Sequence, residues 1–436
     1  MNGIYGPFEQ MLETTEHTKS YYAATTNVRT DYPRLEGEHS CDIAVVGAGF
    51  TGVSTALALS ERGYDVAIVE ANRVGWGASG RNGGQLIDGM VDSAKIEKRL
   101  GKKAADIAYQ MGVDCRDIVV ANIEKYSIDC DLKFGYLDLA MHNADMKYLR
   151  EEVESKHKHN YPHEVRLVEQ EDLHTVIGSD QYIGGLVNPA NGHLHPLNLC
   201  IGEARAAEQN GARIFEQSPV TRIVHGDKPR VETENGVLNA AKVVLAGNAY
   251  LGSVEPSLTG TIISSGSYII ATEPLDDALA TELLPQDMAC CNLRIGLDYY
   301  RLSADRRMLF GGLCNYLGRD PKSITATLRP KMLKVFPQLA DARIDYEWGG
   351  NIAISMNRIP QMGRIQGNTY YSQGYSGHGV APTHVAGQVL ADAIGGDLER
   401  FDVFSRIKHF RLPGGKWFAN PALAIGMLYY RIKDIL

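Results

Sequence analysis

The chain has 436 residues, 44% hydrophobic and 22% charged, enough to bury a large core and to divide into two domains. A net charge of −8 with no basic block argues against nucleic acid as a partner, and the most apolar late stretch, Pro421 to Tyr430, is too short to span a membrane. Seven cysteines without a C-x-x-C pair, and an N-terminus lacking a charged head before an apolar core, read as a cytoplasmic protein with reduced thiols and no metal site.

A parallel βαβ unit comes first. Ile43 to Val46 is a short branched apolar run of the kind buried in parallel sheets, Thr51 to Arg62 has helical spacing with small residues on one face, and Val66 to Val69 is a second buried strand. Gly47, Gly49 and Gly52 fall between the first strand and the body of the helix, with Phe50 and Thr51 at the helix start. Glu70 ends the second strand and Ala71 follows. This spacing suits a dinucleotide: one glycine for the tight turn, one for close approach of a pyrophosphate, one for helix packing, unpaired N–H groups at the helix start, and a carboxylate for the ribose hydroxyls. A second glycine-rich segment, Gly75 to Gln85, follows at once. Gly77, Ala78, Ser79, Arg81, Asn82, Gly83, Gly84 and Gln85 give a nearly bare backbone that can run along an extended cofactor.

Ser93 to Tyr126 is apolar at helical spacing, and Leu132 to Met141 alternates like a strand. Leu197 to Gly211 reads as a helix. Arg213 to Phe215, Val220 to Val224 and Val231 to Thr233 read as short strands, and Val243 to Ala246 as a buried strand ending in Gly247; Val220, Ala246 and Gly247 thereby return to the nucleotide site. Between Tyr268 and Trp348 the pattern changes to aromatic alternation, with strands at Tyr299 to Leu302 and Met308 to Gly312 and a helix around Ile324 to Phe336. A last strand, Thr369 to Gln373, leads through Gly374-Tyr-Ser-Gly-His-Gly379 into a helix from Pro382 to Ile394, stopped by Gly395 and Gly396. That box, through Gly374, Ser376, Gly377, His378 and Gly379, puts a helix start where it can face the N1/C2=O edge of a flavin. A nicotinamide domain needs neither extra box, so the cofactor expected is FAD.

The expected class is α/β: a Rossmann-like, glutathione-reductase-like FAD-binding domain with an inserted antiparallel-sheet α+β substrate domain. The divisions are a 1–40 N-terminal arm, 41–92, 193–255 and 350–397 for the FAD-binding domain, 93–192 and 256–349 for the substrate domain, and a 398–436 tail. At this point the chain resembles the D-amino-acid oxidase-like superfamily of FAD oxidoreductases over nearly its whole length. Ser20-Tyr-Tyr-Ala-Ala24, Ala78-Ser-Gly-Arg-Asn-Gly-Gly-Gln85, Asp298-Tyr-Tyr-Arg-Leu302, Trp348-Gly-Gly350 with Asn357-Arg-Ile-Pro360, Pro413-Gly-Gly415 and Tyr429-Tyr-Arg-Ile-Lys-Asp434 look most like its gamma-glutamylputrescine oxidoreductase branch.

The resemblance implies oxidation of an amine of a gamma-glutamylated polyamine to an aldehyde and ammonia, with dioxygen or another acceptor taking the electrons. Ile352 stands where glycine oxidases place a carboxylate-gripping arginine and sarcosine oxidases a flavin-linking cysteine, which implies noncovalent FAD and a substrate without a carboxylate at the reacting carbon. Ala381 stands where sarcosine oxidases carry a lysine, and Met308 to Gly311 lacks their oxygen-activating lysine. His378 is the candidate for stabilising reduced flavin or keeping the amine neutral, with helix capping as the plainer reading. Tyr299, Tyr300 and Trp348 are candidates to wall the pocket, although strand aromatics are as often core. Arg301 is either a partner for the distant glutamyl carboxylate or a surface arginine, and His193 with His195 reads as loop packing. A secondary-amine or N-substituted amino acid oxidase, with Arg301 or Arg81 as anchor, and a noncatalytic flavoprotein stay open. Oligomeric state is not legible.

Overall fold

A computed structural model describes residues 14–294, 296–315 and 321–411, with residues 313–315 as backbone only. The Pro413 and Tyr429 motifs, the apolar stretch from Pro421 and the Cys314 side chain lie outside the described residues.

Two sheets carry the fold. The eight-stranded first sheet runs in the order Gln361–Ile365, Thr369–Gln373, Gly236–Leu245, Gly37–Val46, Val66–Val69, Arg213–Phe215, and a Val220–Val224/Arg230–Thr233 hairpin pairs onto Gly236–Leu245. Its five inner and lower strands pair in parallel, Val45 facing both Val244 and Ile68. At their centre Ile43 to Val46, Val66–Val69 and Val243 to Leu245 are buried, which matches their unbroken apolar sequence. The Phe50–Ser60, Pro196–Gln209 and Pro382–Gly395 helices cover one face.

The nine-stranded second sheet is antiparallel apart from the pairing of Ala289–Asn292 with Lys133–Ala140. Its order is Ile344–Ser355, Ile262–Thr272, Met308–Asn315, Tyr299–Leu302, Ala289–Asn292, Lys133–Ala140, Gly184–His193, Gln85–Leu86, and Arg166–Glu169 pairs off this path with Gly184–His193. One face packs on the Ile324–Val335 and Asp277–Leu283 helices, burying Tyr268, Tyr300, Phe310 and Phe336. The other turns toward the first sheet, where Ile269 and Trp348 join the main core.

Several expected boundaries move. The Ser93 to Tyr126 stretch is two helices, Ser93–Leu100 and Lys102–Tyr126, because Gly101 takes a φ of 86° that a helix interior excludes. Residues 350–355, expected in the nucleotide half, continue an edge strand of the second sheet, and Gln85–Leu86 also pairs there. Cys41 is half-buried; Cys115, Cys130, Cys200, Cys290 and Cys291 are buried, and none of the six is in a disulfide.

The Pro382–Gly395 and Phe50–Ser60 helices approach closely at Gly387. A Cβ there would overlap Ser54 Oγ and stand 2.8 Å from the Thr55 backbone nitrogen, so the helices would have to separate. Gly387→Ala should therefore destabilise the fold by about 2 kcal/mol, within the range for overpacking a filled core, read as a lowered urea midpoint.

Candidate functional site

A cavity open to solvent, about 1140 Å³ with that open space included, lies between the first sheet, its glycine turns and the edge of the second sheet. Its floor is the first glycine turn. Gly47 N–H donates to Val69 O at 2.9 Å, which ties the turn to the neighbouring strand. A Cβ on Gly52 would overlap the Gly47 carbonyl oxygen, so only glycine lets the helix start this close to the strand. Ser79 Oγ accepts from Phe50 N–H at 2.8 Å and so joins the first box to the second.

Glu70 lies at one end of the cavity, 8% exposed. Its carboxylate accepts from the backbone N–H of Ala48 at 2.7 Å and of Asn72 at 2.9 Å. Burial pushes it up to about 7, against the opposing pull of those two bonds. Opposite, Thr51 Oγ1 and the Tyr375 hydroxyl stand 2.9 Å apart, and Tyr375 also meets Ser372 Oγ at 2.7 Å.

The second box is held from behind. Asn82 Nδ2 donates to Ala78 O and Ser79 O, and its Oδ1 accepts from Gly84 N–H. Arg81 donates from Nε to Trp76 O at 2.7 Å and lies 4.0 Å over the Trp76 ring. Gln85 Nε2 donates to Cys290 O, pinning the box to the second sheet. In the third box Gly374 N–H donates to Asn248 Oδ1 and Ser376 Oγ accepts from Ser355 N–H at 3.3 Å.

Gly47, Gly49, Phe50, Thr51, Glu70, Ala71, Gly77, Ala78, Ser79, Asn82, Val220, Ala246, Gly247, Ser376, Gly377 and Gly379 line the cavity, as does Ile352. Gly52, Arg81, Gly83, Gly84, Gln85, Gly374 and His378 stand behind or beside it. His378 Nε2 lies 2.9 Å from Gly89 O and 3.1 Å from Asp88 O, and two carbonyls can only accept, so Nε2 carries the hydrogen. Burial lowers its pKa, and the neutral ring ties the third box to the 88–89 loop.

Tyr300, Arg301 and Trp348, candidates for the pocket, do not line the cavity. Tyr300 points away from the first sheet: it stacks on Phe310 at 5.5 Å and its hydroxyl donates to that of Tyr182 at 2.9 Å. Tyr299, one residue earlier on the strand, faces the second box, where a Cβ on Gly83 would stand 2.6 Å from its ring. Arg301 is neither at the surface nor free for a substrate. It is 4% exposed and donates to Gly83 O and Leu194 O at 2.8 Å, to Leu302 O at 3.0 Å and to the Tyr22 hydroxyl. Trp348 is 2% exposed and donates from Nε1 to Arg81 O at 2.9 Å, a support for the second box. His195 caps the Pro196–Gln209 helix through Nδ1, and His193 Nε2 meets Asp287 O; burial and nearby Arg301 push both down to about 3.

Sequence reasoning missed Trp76, Asn248, Tyr250, Val254, Ala353 and Thr383 as lining residues. Trp76 and Tyr375 lie inside boxes already singled out, whereas Tyr250 comes from a distant segment and reaches the site by packing edge-on against Trp76, ring centres 5.4 Å apart, and by accepting from Asn351 N–H at 2.9 Å.

A family model described as DAO, FAD dependent oxidoreductase, matches residues 42–393. The chain is 43% identical to gamma-glutamylputrescine oxidoreductase of Escherichia coli (strain K12) over 97% of its own length and 99% of that protein. It is 41% identical to a probable oxidoreductase OrdL of Haemophilus influenzae, covering 96% and 98%. The crystal structure of glycine oxidase from Bacillus cereus superposes with a TM-score of 0.69 at 22% identity, over 84% of this chain and 98% of that one, and shares the fold.

Ribose hydroxyls donating to Glu70 would favour its charged form, so a dinucleotide should bind more tightly as pH rises through about 7. The FAD dissociation constant should rise by up to about tenfold between pH 8 and pH 6, and Glu70→Gln should bind more weakly with a flat profile. Fluorescence titration of apoprotein at four or five pH values checks both.

Proposed function

Because the chain belongs to the DAO family of FAD-dependent oxidoreductases, we propose that it oxidises a primary amine of a gamma-glutamylated polyamine, with gamma-glutamylputrescine or a near analogue as substrate. The products are an aldehyde and ammonia, and dioxygen or another acceptor takes the two electrons. The first sheet and its glycine boxes hold FAD, and the second sheet presents the substrate. Bound FAD supplies a two-electron acceptor for hydride from the carbon bearing the amine.

The residues around the cavity fit that cofactor. At Gly52 a Cβ has no room, the start of the Phe50–Ser60 helix offers N–H groups to phosphate, and the Glu70 carboxylate at the end of the cavity suits ribose hydroxyls. No described residue that lines the cavity offers a thiol for a covalent link, which supports noncovalent FAD. Acid precipitation should leave all the yellow colour in the supernatant and none in the washed pellet.

One observation carries the substrate reading: Ile352 lines the cavity, and no arginine or lysine stands with it among the described lining residues. An α-carboxylate drawn in beside the flavin would lose water and gain no ionic partner, which is unfavourable by several kcal/mol. A glutamyl carboxylate several bonds from the reacting amine stays near the mouth and keeps its hydration.

The enzyme should therefore favour gamma-glutamylputrescine over glycine and sarcosine by at least about two orders of magnitude in kcat/KM, and Ile352→Arg should narrow the ratio chiefly by harming the amine. Peroxide-coupled or dye-coupled assays measure it. Preference for glycine, sarcosine or iminodiacetate in the unmodified enzyme would instead favour an N-substituted amino acid as substrate.

A further inference from the structure

Behind the cavity wall, His384 in the first turn of the Pro382–Gly395 helix meets Glu203 in the Pro196–Gln209 helix, Nε2 to Oε2 at 2.9 Å, and both side chains are fully buried. The other Glu203 oxygen accepts from Asn122 Nδ2 at 2.9 Å. On the opposite edge of the ring, His384 Nδ1 lies 2.6 Å from Val380 O. A carbonyl can only accept, so Nδ1 carries a hydrogen; Nε2 faces a carboxylate, which also accepts when ionised. With acceptors at both nitrogens, the arrangement suits an imidazolium paired with a carboxylate.

The pair is oriented. Val380 and Thr383 line the cavity, as does Phe50, whose ring packs 5.2 Å from that of His384, whereas Glu203 does not reach the cavity. The ring thus lies between the carboxylate and the cavity wall, at a helix start whose partial positive charge opposes a second ring proton and leaves Glu203 as the group that could hold one there. Adding two electrons and one proton to flavin near neutral pH leaves a net negative charge on its ring system.

We propose that His384, kept cationic by Glu203, is a positioning residue that biases the cavity toward reduced flavin and so raises the flavin midpoint potential. The proposal rests on FAD occupying the cavity and is independent of which amine is oxidised. His384→Asn keeps a donor for Val380 O and removes the charge; Glu203→Gln keeps the shape and removes the reason for the second proton.

Holoenzyme equilibrated anaerobically with a reference dye gives the test. Each variant should lower the reduced-to-oxidised ratio at a fixed potential by tenfold or more, a shift of about 30 mV to more negative values for a two-electron couple. The dissociation constant of oxidised FAD should move less than about threefold, a split that mere loosening of the fold would not produce. Unchanged midpoints in variants that retain FAD overturn the proposal, as does a rise in Glu203→Gln. Should neither variant retain FAD, ¹⁵N-histidine spectra of the unmodified holoenzyme decide: two protonated ring nitrogens at His384 support it, and one unprotonated nitrogen overturns it. Wild-type protein that binds FAD yet rejects gamma-glutamylputrescine would defeat the substrate reading and leave this one standing.

Discussion

The close contact of the Gly52 backbone with the Gly47 carbonyl is the constraint on which the rest of the architecture hangs. A pyrophosphate can be held without cationic side chains only if a helix begins within touching distance of a strand end, presenting N–H groups that the helix itself cannot use. That approach requires hydrogen at Gly52, and it places the helix start beside the next strand, so that Glu70 arrives within 2.7 Å of Ala48 N–H. The second and third glycine boxes then lie along the same line, and each is fastened by hydrogen bonds to neighbouring elements: the second through Trp348, Arg301 and Gln85, the third through Asn248 and His378.

This division between bare lining and heavy backing explains what could be read from the sequence. Glycine boxes and branched parallel strands obey local rules of backbone shape and burial, and their places on the first sheet follow from spacing alone. The second sheet is built from pairings between distant segments. The Gly184–His193 strand contains Asn188, Pro189, Asn191 and Gly192, which read as a turn, and Ile262–Thr272 carries Ser264, Ser265 and Gly266 in the middle. Cross-strand partners stabilise both against their local preference. Strand parity misled at Tyr300 as well. Tyr299 and Arg301 face one way and Tyr300 the other, and nothing within residues 299–302 says which face meets the cofactor half.

Arg301 shows how a buried charge can serve a site it does not touch. Among the described residues no carboxylate lies within ion-pair distance of it; carbonyls and hydroxyls take its hydrogens instead. Such an arrangement holds a guanidinium only where the backbone already converges, and Gly83 O and Leu194 O converge there because a Cβ on Gly84 would collide with both the Leu194 carbonyl and Arg301. The arginine is therefore part of the loop's shape, a role that neither a substrate partner nor a surface arginine describes.

The cavity is lined by residues from Val46 to Thr383, and its central strands, Gly37–Val46, Gly236–Leu245 and Thr369–Gln373, come from three widely separated parts of the chain. A ribosome must therefore deliver nearly the whole described chain before any cofactor-binding surface exists. Until then the nascent protein holds apolar strands whose partners have not been made, the period in which chaperones matter most. FAD can contribute only at the last stage, as a ligand that selects the finished fold, adding stability in proportion to the logarithm of its free concentration over its dissociation constant. Cells short of riboflavin should accordingly accumulate less of this protein, through faster clearance of the empty form, before any loss of catalytic turnover per molecule is seen.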